Sequence, residues 1–104
     1  LQTALALKGN CQIYYGTYTG DGQNSRTLTF PGKPLLVVIM GDYLILHAVW
    51  GTEWAMCHNH NGYSSEQCMT QWSGNSFTWT GSSAYHLNTK GKAYQVVSLM
   101  GADE

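Results

Sequence analysis

Apolar residues in this chain recur at every second position over short stretches, and clusters of Gly, Asn, Asp, Ser and Pro separate those stretches. A period of two is the signature of a strand with one buried face. Residues 11–18 alternate in this way, Ile13 and Tyr15 opposite Tyr14 and Gly16, and run into the turn cluster Gly20-Asp21-Gly22-Gln23-Asn24-Ser25. Residues 26–30 form a second short strand, with Leu28 and Phe30 on one face, and Pro31-Gly32-Lys33-Pro34 bends the chain. Residues 35–40, LLVVIM, are an almost unbroken apolar run and read as a central strand covered on both faces. Gly41-Asp42 has hairpin chemistry and leads into residues 43–50. The segment 51–67 is polar and reads as a long loop. Strands are predicted again at 68–73, 76–80, 84–87 and 93–99, with turns at Gly74-Asn75, Gly81-Ser82-Ser83 and Lys90-Gly91.

Strands at this spacing predict an all-β chain: one antiparallel β-sandwich of about six to eight short strands. Residues 35–40, 43–49 and 94–99 would be its central strands. Residues 1–8 read as a lead-in, either the end of a stem or an edge strand, because 1–7 has helical composition but is too short to be stable alone. Residues 9–104 form the single domain.

Composition narrows what such a domain can bind. Hydrophobic residues are 43% and aromatics 12% of the 104, ample for a core without metal or disulfide staples. Charged residues are only 11%, under half the usual share of about 25%. Between Pro34 and Thr89 there is no Lys or Arg. That speaks against nucleic acid, whose phosphates need several cations, and against a basic helix on a membrane surface. No apolar run approaches the roughly 18 residues of a membrane span, so no membrane insertion is expected. The chain opens with neither a signal-peptide pattern nor an initiator Met, which reads as a piece excised from a longer protein.

Candidate chemistry is sparse. Cys11, Cys57 and Cys68 are an odd set, read as reduced or buried thiols, although Cys57 and Cys68 flank the polar segment and could pair. Cys57, His58, His60 and Cys68 could be written as a zinc set, but adjacent Cys57 and His58 lack the usual gap between ligands. Glu53 and Glu66 bracket the polar segment in the manner of a glycosidase pair, a count that composition alone would give. No nucleophile elbow, phosphate loop or His-Glu-x-x-His motif is present, so no catalysis and no cofactor are expected. The aromatic residues are the stronger signal. Trp50, Trp54, Tyr63, Trp72 and Trp79 lie in or beside residues 51–81, and Trp and Tyr suit stacking on sugar rings or anchoring a subunit contact. Trp72 and Trp79 are expected in the core, Trp54 and Tyr63 at the surface.

The order of the pieces in residues 16–41 (GTYTGDGQNSRTLTFPGKPLLVVIMG) and 87–101 (LNTKGKAYQVVSLMG) resembles the C-terminal β-sandwich heads of bacteriophage or prophage tail-fibre and baseplate proteins. In those domains a Gly-x-Tyr-Thr-Gly-x-Gly opening, a Pro and an apolar run are closed by an Asn-x-x-Gly-x-x-Tyr strand ending in Gly. An architectural likeness to the trimeric H-type lectins is weaker. The resemblance implies a receptor-binding, host-attachment domain in a virion, folded in a bacterial cytoplasm, holding cell-surface carbohydrate or another receptor as a homotrimer. The expected ligand contacts are Trp54, Asn59, His60 and Tyr63, with Gln71 or Asn75 beside them. In an extended segment His58 and His60 share a face, so a threefold axis could gather six imidazoles around a metal. The alternative is a structural virion module, a trimerisation cap or capsid decoration without a ligand of its own.

Overall fold

The computed structural model describes residues 12–62 and 64–101. The lead-in at 1–8, Cys11 and Tyr63 lie outside the described residues. The described chain contains eight strands and no helix: β1 (Gln12–Thr19), β2 (Ser25–Thr29), β3 (Lys33–Gly41), β4 (Leu44–Val49), β5 (Trp54–Asn59), β6 (Ser65–Ser73), β7 (Ser76–Thr80) and β8 (Ala93–Gly101). They pair antiparallel in the order β1-β8-β3-β4-β5-β6-β7-β2. The all-β antiparallel reading holds. In place of the expected two layers of a sandwich, however, one hydrogen-bonded ladder runs through all eight strands.

The connection between β1 and β2 explains why the sheet curls. These two strands stand at opposite ends of the ladder, yet residues 20–24 alone join them. A flat sheet of eight strands about 4.8 Å apart would separate them by roughly 34 Å, beyond the reach of that linker. The sheet therefore bends into a half-barrel whose two edges meet across side chains. Tyr14 meets Phe30 edge-on at 5.3 Å, and the Arg26 guanidinium lies 4.5 Å over the Tyr18 ring. Arg26 Nη1 also donates to the Thr19 carbonyl at 2.8 Å.

The concave face holds the core. Val37, Ile39, Leu46, Phe77, Trp79 and Tyr94 are fully buried, each worth about 1.5–3 kcal/mol or more of transfer free energy. Rings form a chain through this space, Trp50–Trp72–Phe77–Trp79–Tyr18–Tyr94, with centroids 4.4–5.9 Å apart. Trp79 is in the core as expected, while Trp72 is half-buried at its margin.

Four sequence expectations change. The run 35–40 is covered on one face only: Val37 and Ile39 are buried, but Leu35 and Met40 are exposed. Residues 84–87 are a turn, not a strand. Their carbonyls are taken by side chains, Leu87 by the Tyr18 hydroxyl at 2.6 Å and His86 by the Trp79 indole N–H at 2.6 Å, and Tyr85 N–H closes back on Ser82. The polar segment 51–67 is largely the hairpin of β5 and β6. Finally, the β3–β4 turn is Asp42-Tyr43. Gly41 pairs with Leu44 as the last residue of β3, and the position takes glycine because a Cβ there would lie 2.5 Å from Tyr94 Cδ1 and 2.8 Å from the Ala93 carbonyl.

Candidate functional site

The strands run so that the half-barrel has two ends. One carries the 20–24 loop, the Asp42-Tyr43 turn, the end of β5 with the start of β6, and the 81–92 loop; it is called the Tyr43 end. The other, the Trp50 end, carries the 30–32, 50–53 and 74–75 connections. The candidate contacts divide between them. Asn59 and His60 lie at the Tyr43 end, where β5 finishes, while Trp54 begins β5 roughly 17 Å away along the strand. Gln71 and Asn75 also lie toward the Trp50 end, on β6 and in the turn after it. They do not form one site.

At the Trp50 end a shallow groove of about 530 Å³ is lined by residues 50–53 and 70–73. Its aromatic faces are already occupied. Trp50 has Trp72 on one side at 5.3 Å, and the Lys33 ammonium lies 4.6 Å from its ring. Trp72 sits between Trp50 and Phe77, and its indole N–H donates to the Thr52 carbonyl at 2.8 Å. Thr70 Oγ1 donates to the same carbonyl at 2.6 Å. This cluster closes the end of the core.

The Tyr43 end differs. Asp42 and Tyr43 both have positive φ, 52° and 66°, in a two-residue turn between paired Gly41 and Leu44, the pattern of a type I′ hairpin. A left-handed conformation costs a side-chain-bearing residue about 1–2 kcal/mol, and Gly is what such turns ordinarily use. Here the position is filled by a tyrosine that is 73% exposed. Its ring packs against His60 at 5.1 Å, tilted by 48°, and the His60 N–H donates to the Tyr43 carbonyl at 2.7 Å. Met40, Tyr43, Leu44, Ile45, Asn59 and His60 line a mostly apolar pocket of about 380 Å³. Of the residues lining it, the sequence singled out Asn59 and His60 but not Tyr43. The signal was present: an aromatic directly after Gly41-Asp42 stands at a hairpin tip whichever pair makes the turn.

Elsewhere at this end, side chains tie the 20–24 loop to the 81–92 loop. Asn88, fully buried, donates from Nδ2 to Asp21 and, at 3.1 Å, to the Gln23 carbonyl; its Oδ1 accepts from Arg26 at 3.0 Å and from the Asp21 N–H at 3.2 Å. The Gln23 N–H, Asn88 amide and Arg26 guanidinium hold the Asp21 carboxyl below the usual carboxylate range. Gly20 is tied into the same junction, since a Cβ there would fall 2.1 Å from the Thr89 carbonyl.

The other candidate chemistry is dispersed. Cys57 and Cys68 are buried free thiols. Burial pushes Cys57 up to about 12, helped by Cys68 and Glu66, and Cys68 up to about 11, helped by Glu66. Both face the core, whereas His58, adjacent to Cys57 on an extended strand, faces outward, so the zinc set cannot surround one ion. His58 stacks on His47 at 5.7 Å, and His60 on Tyr43, so the two imidazoles of the expected axial pair have separate partners. Among the described residues no group of three or more His, Cys, Asp or Glu could hold a metal. Glu53 is bonded through its carbonyl to the Thr70 N–H, four residues along β6 from Glu66, which puts about 14 Å of strand between the two backbones.

No protein-family model, curated protein or solved structure gives a match to this chain.

Proposed function

We propose that this chain is a non-catalytic attachment module that holds a carbohydrate at its Tyr43 end, in the manner of the head domains of phage tail-fibre and baseplate proteins. The observation that carries the reading is Tyr43, a large ring kept at a hairpin tip in a backbone conformation that disfavours it, with most of its surface free. Strain of this kind clusters where a side chain must be presented to a ligand. One ring face would stack on the apolar face of a sugar, against the Met40 and Ile45 wall. Asn59 and the His60 imidazole offer hydrogen bonds to hydroxyls. No reaction is part of the reading, since it rests on surface fit alone.

A single shallow site of this size binds weakly, so attachment would rest on several copies, as in a homotrimeric virion appendage. Holding sites together can raise avidity by about 10²–10⁴ over one site. The half-barrel would then serve the purpose of the sandwich head, two halves of one sheet folded over a shared core. The host-cell surface is the partner, and the virion the place of action.

A glycan array probed with the wild type, Tyr43→Ala and Trp50→Ala tests the reading. The expected result is specific retention of a glycan class that Tyr43→Ala abolishes and folded Trp50→Ala keeps. Undiminished binding by Tyr43→Ala, or no glycan retained by the wild type, overturns it.

A further inference from the structure

Two imidazoles and a thioether share the convex face of the sheet where β4 meets β5. Ile45 pairs with His58 and Leu46 with Cys57, and the same register carried one step further sets His47 opposite Met56. His47 stands between buried Leu46 and Ala48, and Met56 and His58 flank buried Cys57, so all three side chains leave the core on the same side. Ring geometry agrees with that diagonal: the His47 and His58 imidazoles lie face to face, 5.7 Å apart and 16° from parallel. Between backbones, Met56 is about 5 Å from His47 across the ladder and about 7 Å from His58 along β5, within the span of side chains this long. None of the three lines the Trp50-end groove or the Tyr43 pocket.

We infer that His47, Met56 and His58 form a binding site for monovalent copper. The donor set selects the ion. Among the described residues no carboxylate or thiol joins the two imidazoles in a metal-holding group. Their ladder neighbours are Val38 beside His47, Ile45 and Ser65 beside His58, and Gln67 beside Met56, none of them charged. Magnesium and calcium call for several oxygen ligands, usually with carboxylates among them, and structural zinc for four nitrogen, thiolate or carboxylate ligands; neither set is present. A thioether is a soft donor that selects Cu(I), and imidazole suits copper as well. The ring nitrogens are also free to serve. Among the described residues no protein group hydrogen-bonds either imidazole, and His47 is exposed. Each ring can therefore turn about its side-chain bonds and aim one nitrogen at a shared ion, with the Met56 sulfur as third donor.

This site shares no residue with the Tyr43 pocket, and the two can fail separately. Anaerobic titration of the full chain with Cu(I) against a chromogenic Cu(I) chelator tests it. Every sample carries Cys11→Ser, so that this thiol does not compete, and the variants are His47→Ala, His58→Ala, Met56→Leu and Tyr43→Ala. The expected result is one ion per chain, with affinity at least about a hundredfold lower in His47→Ala and His58→Ala and about tenfold lower in Met56→Leu. Tyr43→Ala should bind as the parent does. His47→Ala alters an exposed position and should keep the metal-free melting curve, while added Cu(I) raises Tm in the parent and not in that variant. A parent that takes no Cu(I) from the chelator overturns the inference, as does binding that His47→Ala leaves unchanged. Binding lost in Cys57→Ser or Cys68→Ser and kept in His47→Ala overturns it in favour of the core thiols. Zn(II) bound as tightly as Cu(I), with Met56→Leu without effect, overturns the copper assignment and leaves a plain imidazole pair. Glycan retention without copper binding fails only this site, and copper binding without glycan retention fails only the attachment reading.

Discussion

The two ends of the half-barrel each hold exposed or half-exposed aromatic rings beside a groove, and the surroundings of those rings differ. At the Trp50 end the rings that line the groove, Trp50 and Trp72, pack on each other, on Phe77 and on Lys33, and the Trp72 indole N–H is bonded to backbone, while Trp54 stands 54% exposed at the start of β5. At the Tyr43 end a single ring stands out on a left-handed hairpin tip with one imidazole against it. Ring count and groove volume favour the first end; free ring surface favours the second. An aromatic side chain can stabilise the fold or present itself to a partner, and which of the two it does depends on what its faces already touch.

Substitutions should separate the ends, beginning with the largest effect. Trp72→Ala removes the ring joining Trp50 to Phe77 and is expected to cost about 3 kcal/mol, read from urea unfolding, with glycan affinity of the folded fraction unchanged. Loss of binding without loss of stability would reverse the assignment of the ends. Asn88→Ala leaves the Asp21 carboxylate and the Gln23 carbonyl without their amide partner. A cost of about 2 kcal/mol is expected in the same measurement.

Tyr43→Gly should have the opposite sign in stability: about 1 kcal/mol gained by relieving the turn, and glycan binding reduced at least tenfold. A stabilised variant that still binds would leave the strained tyrosine without a role. Trp54→Ala, at an exposed position 54% accessible and distant from the pocket, should change stability by no more than about 0.5 kcal/mol and affinity not at all.

The thiols give the finest test of how well the core is sealed. Because Cys57 and Cys68 are raised in the folded chain, their protonated forms favour the fold. That contribution is constant below the ordinary thiol value of about 9 and is lost as pH climbs toward about 11 and 12. Unfolding free energy should therefore be flat from pH 7 to 8.5 with respect to these groups and fall above 9. In native protein at pH 8 a thiol reagent should leave both unmodified, and both should react in urea. Ready labelling of either would mean that the core opens between β5 and β6.

Much of the ladder was legible because alternation is a local property. Ile13 against Tyr14, Leu28 with Phe30, and the run ending in Met40 all announce strands, and the three predicted central strands are indeed neighbours, as β8-β3-β4. The hairpin of β5 and β6 was hidden because Cys57, His58, Asn59 and His60 carry little apolar contrast, although Cys57 is fully buried and His58 is not. Residues 84–87 alternate as a strand would, yet their backbone is taken by the Tyr18 hydroxyl and Trp79 indole from elsewhere in the chain. Asn59 and His60 were singled out because they lie in the polar segment; Trp54, Gln71 and Asn75 were grouped with them because they are near in sequence, and the direction of β5 separates them.

Alternation and turn chemistry were enough to determine an antiparallel all-β chain with a hydrophobic face, since side-chain direction along a strand has period two whatever lies around it. Closure was decided only in three dimensions. That β1 and β2 meet, that Asn88 bonds two loops, and that Tyr43 stands free while Trp50 is covered all depend on contacts between residues far apart in the chain, for which local pattern carries no record.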